Sequence, residues 1–297
     1  MKGTMAEVLQ RVERLKSAAK TDLGERSPGK SPKQSIISND GCEKCDYTGT
    51  INTFRWVDSD TLDKYGKPMK IQIAAVEPCS CLKERQFQKY NAAASFTEKE
   101  KGYTFKNSVI DQFNEDAFAI AVQFIKDIDE NLINGKWLYI YGDDKRVDGN
   151  ELSAFGTGKT YLMQCIANAL ANRKIPAIYV TEEELFGDIK STYNRDSEES
   201  ETEVLNKYYF VPVLMIDDIF TAQYKDWAEG KLFSILEERN KNDKITIMTS
   251  NYVPDRIHYR LPINGKKIAS RIKGKCGKEG LIELVGPDRR DEQSGTH

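Results

Sequence analysis

No apolar run in this 297-residue sequence approaches the roughly 18 residues that a membrane span requires. Arg11, Glu13 and Arg14 interrupt the apolar positions between Met1 and Leu15, so the N-terminus is not a secretory signal either. The chain therefore reads as cytoplasmic, with no membrane partner. An excess of charge is also missing. The 44 Lys and Arg against 46 Asp and Glu leave a net charge of -2, so there is no global attraction to nucleic acid, and any such contact must come from local patches. Histidine is scarce, with His258 and His297 remote from the cysteine pairs, and there is no internal repeat. Six cysteines in a chain of this length do not make a disulfide framework. Four of them stand in two tight pairs, which suits a metal site in a reducing compartment, and Cys165 and Cys276 are left over.

What is present is an ordered series of segments. Met5, Val8, Leu9, Val12 and Leu15 recur at helical spacing, giving an amphipathic helix over residues 1–20. Residues 21–40 have the Ser, Pro, Gly and Lys composition of a flexible linker. Residues 41–82 hold the cysteine pairs around two alternating stretches, Ile51 to Val57 and Lys70 to Val76, which read as strands of a small ribbon. A connector over 83–104 follows, with Leu82 to Ala94 helix-like and the remainder polar. The larger domain spans 105–292, with a short tail at 293–297. It opens on an amphipathic helix from Asp111 to Leu132, with Phe113, Ala117, Ile120, Ala121, Phe124 and Ile128 on one face.

Strand and helix patterns then alternate. The strands are Trp137 to Tyr141, Ala177 to Val180, Val211 to Ile216 and Ile245 to Thr249; the helices are Lys159 to Asn172, Glu182 to Tyr193, Trp227 to Asn240 and Lys266 to Lys273. This alternation predicts an α/β domain with a mostly parallel sheet covered on both faces. The acidic run Arg195 to Glu203 reads as a solvated loop.

Gly156-Thr157-Gly158-Lys159-Thr160 lies between a strand and a helix, where loop N–H groups and the positive end of the helix converge on phosphate oxygens. Lys159 would reach the β- and γ-phosphates of ATP and the Thr160 hydroxyl would ligate Mg²⁺. The plainer reading is a Gly-rich helix start with a chance Lys-Thr, and the flanking strand and helix argue against it. The pattern is interrupted, because Ser153 stands where the first glycine belongs. Gly142 supplies that glycine if Asp144 to Ala154 is a polar insertion looped out of the phosphate loop; a loop of this length costs only a few kcal/mol to close. The other possibility is that the insertion distorts the loop and weakens nucleotide binding.

The apolar strand Val213 to Ile216 ends in Asp217 and Asp218 at the edge of the sheet beside the phosphates. Asp217 would hold Mg²⁺ through water, and Asp218 could orient or deprotonate the attacking water. Asn251, after the next strand, could hydrogen-bond the γ-phosphate or that water, although an ordinary strand-ending turn explains it as well. Lys266, Lys267, Arg271, Lys273, Lys275 and Lys278 form a basic cluster, which a solvated helix face would mostly explain. Phosphoryl transfer nevertheless needs a cation near the γ-phosphate. Cys42, Cys45, Cys79 and Cys81 could satisfy tetrahedral Zn²⁺ completely, a structural site with no open position.

At these residues the chain resembles the bacterial DnaC/DnaI helicase-loader family and its phage-encoded relatives. The resemblance rests on Gly41-Cys42-Glu43-Lys44-Cys45 with Pro78-Cys79-Ser80-Cys81, on Tyr103 to Asn107, and on Gly156 to Thr160. It continues through Leu214 to Ile219, Ile245 to Asn251, Ala269 to Ile272 and Asp288-Arg289-Arg290. It implies an AAA+ P-loop ATPase domain preceded by a small zinc-ribbon-like domain. It further implies Arg271 as the finger offered to a neighbouring subunit, and Arg289 or Arg290 as the second sensor. The implied partners are a replicative DnaB-type hexameric helicase, single-stranded DNA and further copies of the chain in a homo-oligomer. Two departures stand out: the insertion, and Asp218 in place of the Glu of most AAA+ ATPases. An Asp also occurs there among close family members, which implies slow hydrolysis rather than none. Two other functions share the core: an IstB-type transposition-helper ATPase, against which the cysteine module counts, and a nucleotide-binding helicase adaptor with little hydrolysis.

Overall fold

The computed structural model describes residues 42–46, 48–143, 153–194, 197–222 and 224–292. The helix read over 1–20, the linker over 21–40, residues 144–152 of the insertion and the tail at 293–297 lie outside them. The described residues form two compact units, one ending at Lys89 and the other beginning at Tyr90, a division inside the stretch read as a connector. Among the described residues no helix is long and apolar enough to cross a membrane.

The first unit is a two-stranded antiparallel ribbon, β1 (Thr50–Leu62) and β2 (Pro68–Pro78), followed by helix α1 (Ser80–Lys89). Pairing runs from Thr50 opposite Pro78 to Asp58 opposite Lys70, with a bulge before Leu62 opposite Pro68. Asp63 closes the turn, its Oδ1 accepting the N–H groups of Tyr65 at 2.8 Å and Lys67 at 2.9 Å. Both strands outrun the alternating stretches seen in the sequence, because the backbone ladder continues through polar residues.

In the second unit α2 (Glu98–Lys101), α3 (Glu115–Lys126) and α4 (Ile128–Asn134) precede β3 (Leu138–Tyr141). Then come α5 (Lys159–Asn172), β4 (Ala177–Thr181), α6 (Glu182–Ser191), α7 (Glu201–Phe210), β5 (Val213–Ile219) and α8 (Asp226–Lys241). The chain finishes with β6 (Ile245–Ser250), a 3₁₀ turn (Pro254–Tyr259), α9 (Gly265–Cys276), β7 (Leu281–Glu283) and α10 (Arg289–Glu292). The sheet is parallel throughout, in the order β4-β5-β6-β3-β7. Successive strand residues face opposite sides. Val213 and Met215 therefore enter a core with Leu162, Ile166 and Ile247, while Leu214 and Ile216 enter a second core with Leu232, Ile235 and Ile268. Helices cover both faces, as the alternation predicts.

Two readings are corrected. The helix from Asp111 to Leu132 is two helices, because Asp127 leaves helical geometry at φ -90° and ψ 18° and takes the Gln123 amide on its carboxylate at 2.7 Å. The acidic run does not stay a loop: Glu201 to Glu203 is the first turn of α7, capped by Ser200, whose hydroxyl accepts the Glu203 N–H at 3.3 Å while the Glu203 carboxylate accepts the Ser200 N–H at 2.8 Å. The charges mask a Ser-x-x-Glu capping box. The short strand β7, unread in the sequence, completes the edge beside β3.

Candidate nucleotide and metal sites

β3 delivers the chain to Gly142, whose N–H bonds Ser250 O at 3.1 Å. A Cβ on Gly142 would lie 2.6 Å from Ala154 O, so the two stems of the insertion touch. Asp143 is ion-paired with Arg256, and Ser153 exchanges both backbone bonds with Gly286, at 2.7 and 3.1 Å. Ser153, bridged to Gly286, and the fully buried Ala154 are thus fixed in the fold, although both fall within the stretch read as an insertion, Asp144 to Ala154. Beyond them the loop is continuous. Gly156 (φ 66°) and Gly158 (φ 97°) hold left-handed backbone conformations that glycine adopts without strain, and α5 starts at Lys159.

Lys159 is 8% exposed, and its Nζ donates to Ala154 O at 2.5 Å. Burial pulls its pKa down to about 8, with Asp218 and Asp217 opposing the fall and Arg290 adding to it. Asp217, 5% exposed, collects three hydroxyls. Thr160 donates to its Oδ1 at 3.2 Å, Thr249 to the same oxygen, and Tyr179 to Oδ2 at 2.7 Å. Asp218 sits at φ 53°, its N–H bonded to Thr249 Oγ1 at 2.7 Å and its carboxylate accepting the Asn251 amide at 3.0 Å. Loss of solvent around that carboxyl, then the Asp217 charge, raises its pKa above the ordinary range.

The turn after Asp218 is gripped from two sides. Glu182 accepts the N–H groups of Phe220 and Ala222, each at 2.8 Å, while Arg260 donates to the carbonyls of Phe220, Thr221 and Ala222 at 3.0, 2.7 and 2.9 Å. Such support holds left-handed φ at two non-glycine residues, Asp218 and Phe220.

The C-terminal segment closes against the phosphate loop. Thr157 Oγ1 donates to Leu284 O at 3.1 Å, and Arg289 N to Gly156 O at 3.0 Å. The two adjacent arginines differ. The Arg289 guanidinium bonds Asp111 at 2.5 Å, whereas the Arg290 charge acts on Lys159 and Asp218. Arg271, on α9, engages other groups: Glu237, Lys267 O at 3.0 Å, and the face of Phe233 at 5.0 Å. Gly156 to Thr160, Asp217, Asp218, Asn251 and Arg290 therefore come together, and Arg271 is bonded elsewhere.

The sequence profile of the bacterial DnaA ATPase domain matches residues 99–273, more than half of the chain. The chain belongs to the bacterial DnaA ATPase-domain family. It is 27% identical over 61% of its length to the replicative helicase loader DnaI of Bacillus subtilis (strain 168), an alignment spanning 53% of the loader. The chain thus spans about half the length of that curated relative. A crystal structure of DnaI is matched at a TM-score of 0.51 and 26% identity, covering 66% of this chain and 95% of that one. A crystal structure of the DnaC helicase loader is matched at 0.51 and 20% identity, covering 63% and 99%, and shares the fold. The loader resemblance read from the sequence is borne out by these likenesses.

In this DnaA-type ATPase domain, Tyr179, Thr249, Glu182 and Arg260 were not singled out in the sequence. Thr249 was findable, as a polar residue at the end of an apolar strand. The other three act through pairings between strands and turns far apart in the chain.

In the first unit Cys42 Sγ lies 3.8 Å from Cys79 Sγ, and Cys45 Sγ 3.4 Å from Cys81 Sγ; all four sulfurs lie within 4.8 Å of one another. Tetrahedral zinc with Zn–S near 2.3 Å needs sulfurs about 3.8 Å apart, so the four thiols fit it. Asp46 N bonds Cys42 O at 2.7 Å and Cys79 N bonds Gly49 O at 2.8 Å, bringing the two pairs together.

Proposed function

We propose that this chain is an ATP-dependent loader that binds a replicative DnaB-type hexameric helicase and places it on single-stranded DNA. The observation that carries the reading is the convergence of Lys159, Thr160, Asp217 and Asp218 at one sheet edge, in a chain aligned with a replicative helicase loader. Gly156 to Thr160 would cradle the phosphates, and Lys159 would exchange the Ala154 carbonyl for them. Thr160 and Asp217 would hold Mg²⁺, whose charge would neutralise the β- and γ-phosphate oxygens. Asp218, held by Asn251, would orient the attacking water and take its proton. Arg290 fits the second sensor and Arg271 the finger supplied to a neighbour's nucleotide once copies assemble. The four cysteines would bind Zn²⁺ to hold the ribbon that meets the helicase.

Co-purification with a replicative helicase, with ATP and without, tests the reading. ATP-dependent capture is expected, together with turnover that rises when single-stranded DNA is added. No capture would favour the transposition-helper reading; capture without turnover would favour the adaptor.

A further inference from the structure

A carboxylate as enclosed as Asp217 needs hydrogen-bond donors on both of its oxygens. Tyr179 meets that need from the neighbouring strand. β4 pairs with β5 so that Thr181 lies opposite Asp217, and Tyr179, two residues earlier, shares the same face of the sheet. Its phenol donates to Oδ2 at 2.7 Å, while Thr160 and Thr249 donate to Oδ1. The ring has little freedom to leave: it packs edge-on against buried Phe96, with centroids 5.2 Å apart and planes at 85°.

A carboxylate torsion is soft, with broad wells, so hydrogen bonds to one of its two oxygens leave its plane free to rock. The Thr160 hydroxyl has to offer a lone pair to a cation and its proton to Asp217 Oδ1 at the same time. It can do both only while Oδ1 keeps its place. We infer that Tyr179 is a positioning residue for Asp217: by holding Oδ2 it turns Oδ1 toward Thr160, and thereby sets the Mg²⁺ concentration that nucleotide binding requires. The inference rests on the nucleotide-site reading above.

Tyr179→Phe removes the hydroxyl and keeps the ring against Phe96. Fluorescent mant-ATP binding to the full chain is titrated with Mg²⁺ and repeated in EDTA. Affinity in EDTA should match the unmodified protein, and the half-saturating Mg²⁺ concentration should rise about tenfold, the lower end of what losing an outer partner of a metal ligand costs. An unchanged Mg²⁺ requirement overturns the inference. So does an equal loss of affinity with and without Mg²⁺, which would make the hydroxyl a structural prop. Lys159→Ala runs alongside: if it binds mant-ATP as tightly as the unmodified chain, the nucleotide site itself is wrong and the inference falls with it. Weak binding by Lys159→Ala with an unchanged Mg²⁺ requirement in Tyr179→Phe removes the Tyr179 role alone.

Discussion

Lys159 carries a charge that its surroundings make conditional. Burial of the ammonium outweighs the nearby Asp218 and Asp217 charges, which is why its pKa falls to about 8 from an ordinary 10.5. Bound phosphates would restore the charge. Binding in the region of pH 8 to 9 should therefore draw a proton onto Lys159, and affinity for ATP should weaken as pH rises through that range. Calorimetry in two buffers of different ionisation enthalpy reads the proton directly; binding with no uptake would mean that the Nζ does not meet the phosphates. The stability consequence has the opposite sense to that of a paired lysine. A depressed folded pKa means that the charged form costs stability below about pH 8, a cost that fades as pH climbs toward 10.5. Lys159→Met should accordingly melt at or above the unmodified chain at pH 7 without nucleotide, yet lose nucleotide binding.

At the scale of elements, the insertion separates what local pattern can reveal from what it cannot. Gly142 as the displaced first glycine was readable from the strand that precedes it, and the structure brings it against Ala154. Where the insertion ends was not readable, because Ser153 is fixed by Gly286, more than a hundred residues away, and Ala154 by its bond to Lys159. Two deletions should behave differently. Replacing 144–152 by two glycines leaves Ser153 and Ala154 in place and should keep nucleotide affinity within about threefold, since only loop closure changes. Removing Asp144 to Ala154 also takes away the two backbone bonds to Gly286 that anchor the entry to the phosphate loop, and should weaken binding about tenfold or more, the loss of two backbone hydrogen bonds at about 1 kcal/mol each. Equal affinities for the two would show that Ala154 is no part of the site. The same distinction explains the rest of the fold. Long periodic segments such as α5 were legible to the residue, whereas α7 began inside a run of acids and β7 is only three residues long. Fully buried Arg239 gave no signal at all, because its partners are the backbone carbonyls of Tyr208, Val211 and Ile245 and the hydroxyl of Thr246, none of which forms a charge pattern with it.

For the whole molecule, the two units make separable claims. If the four thiols hold zinc, metal analysis of the full chain should find about one ion per chain, and a chelator should expose residues 42–89 to hydrogen exchange while those from Tyr90 onward keep their protection. A metal-free protein with that ribbon intact would refute the zinc reading. Assembly is the other question, and Arg271 tests it. In the single chain this side chain is held by Glu237 and lies over Phe233, with no part in its own nucleotide cluster. A finger supplied across a subunit boundary stabilises the transferring phosphoryl group only after copies meet. Arg271→Ala should therefore bind ATP as tightly as the unmodified chain but lose DNA-stimulated turnover by a factor of about 10³. A role on a basic DNA-contacting face with Lys267, Lys273 and Lys275 predicts something else: weaker DNA binding that is more sensitive to salt. Mixing Arg271→Ala with Lys159→Ala decides between them. The first retains a working phosphate loop and the second a working arginine, so a shared interface formed from both can turn over ATP where neither alone does. If the mixture assembles and turnover does not recover, Arg271 does not act on a neighbour's nucleotide.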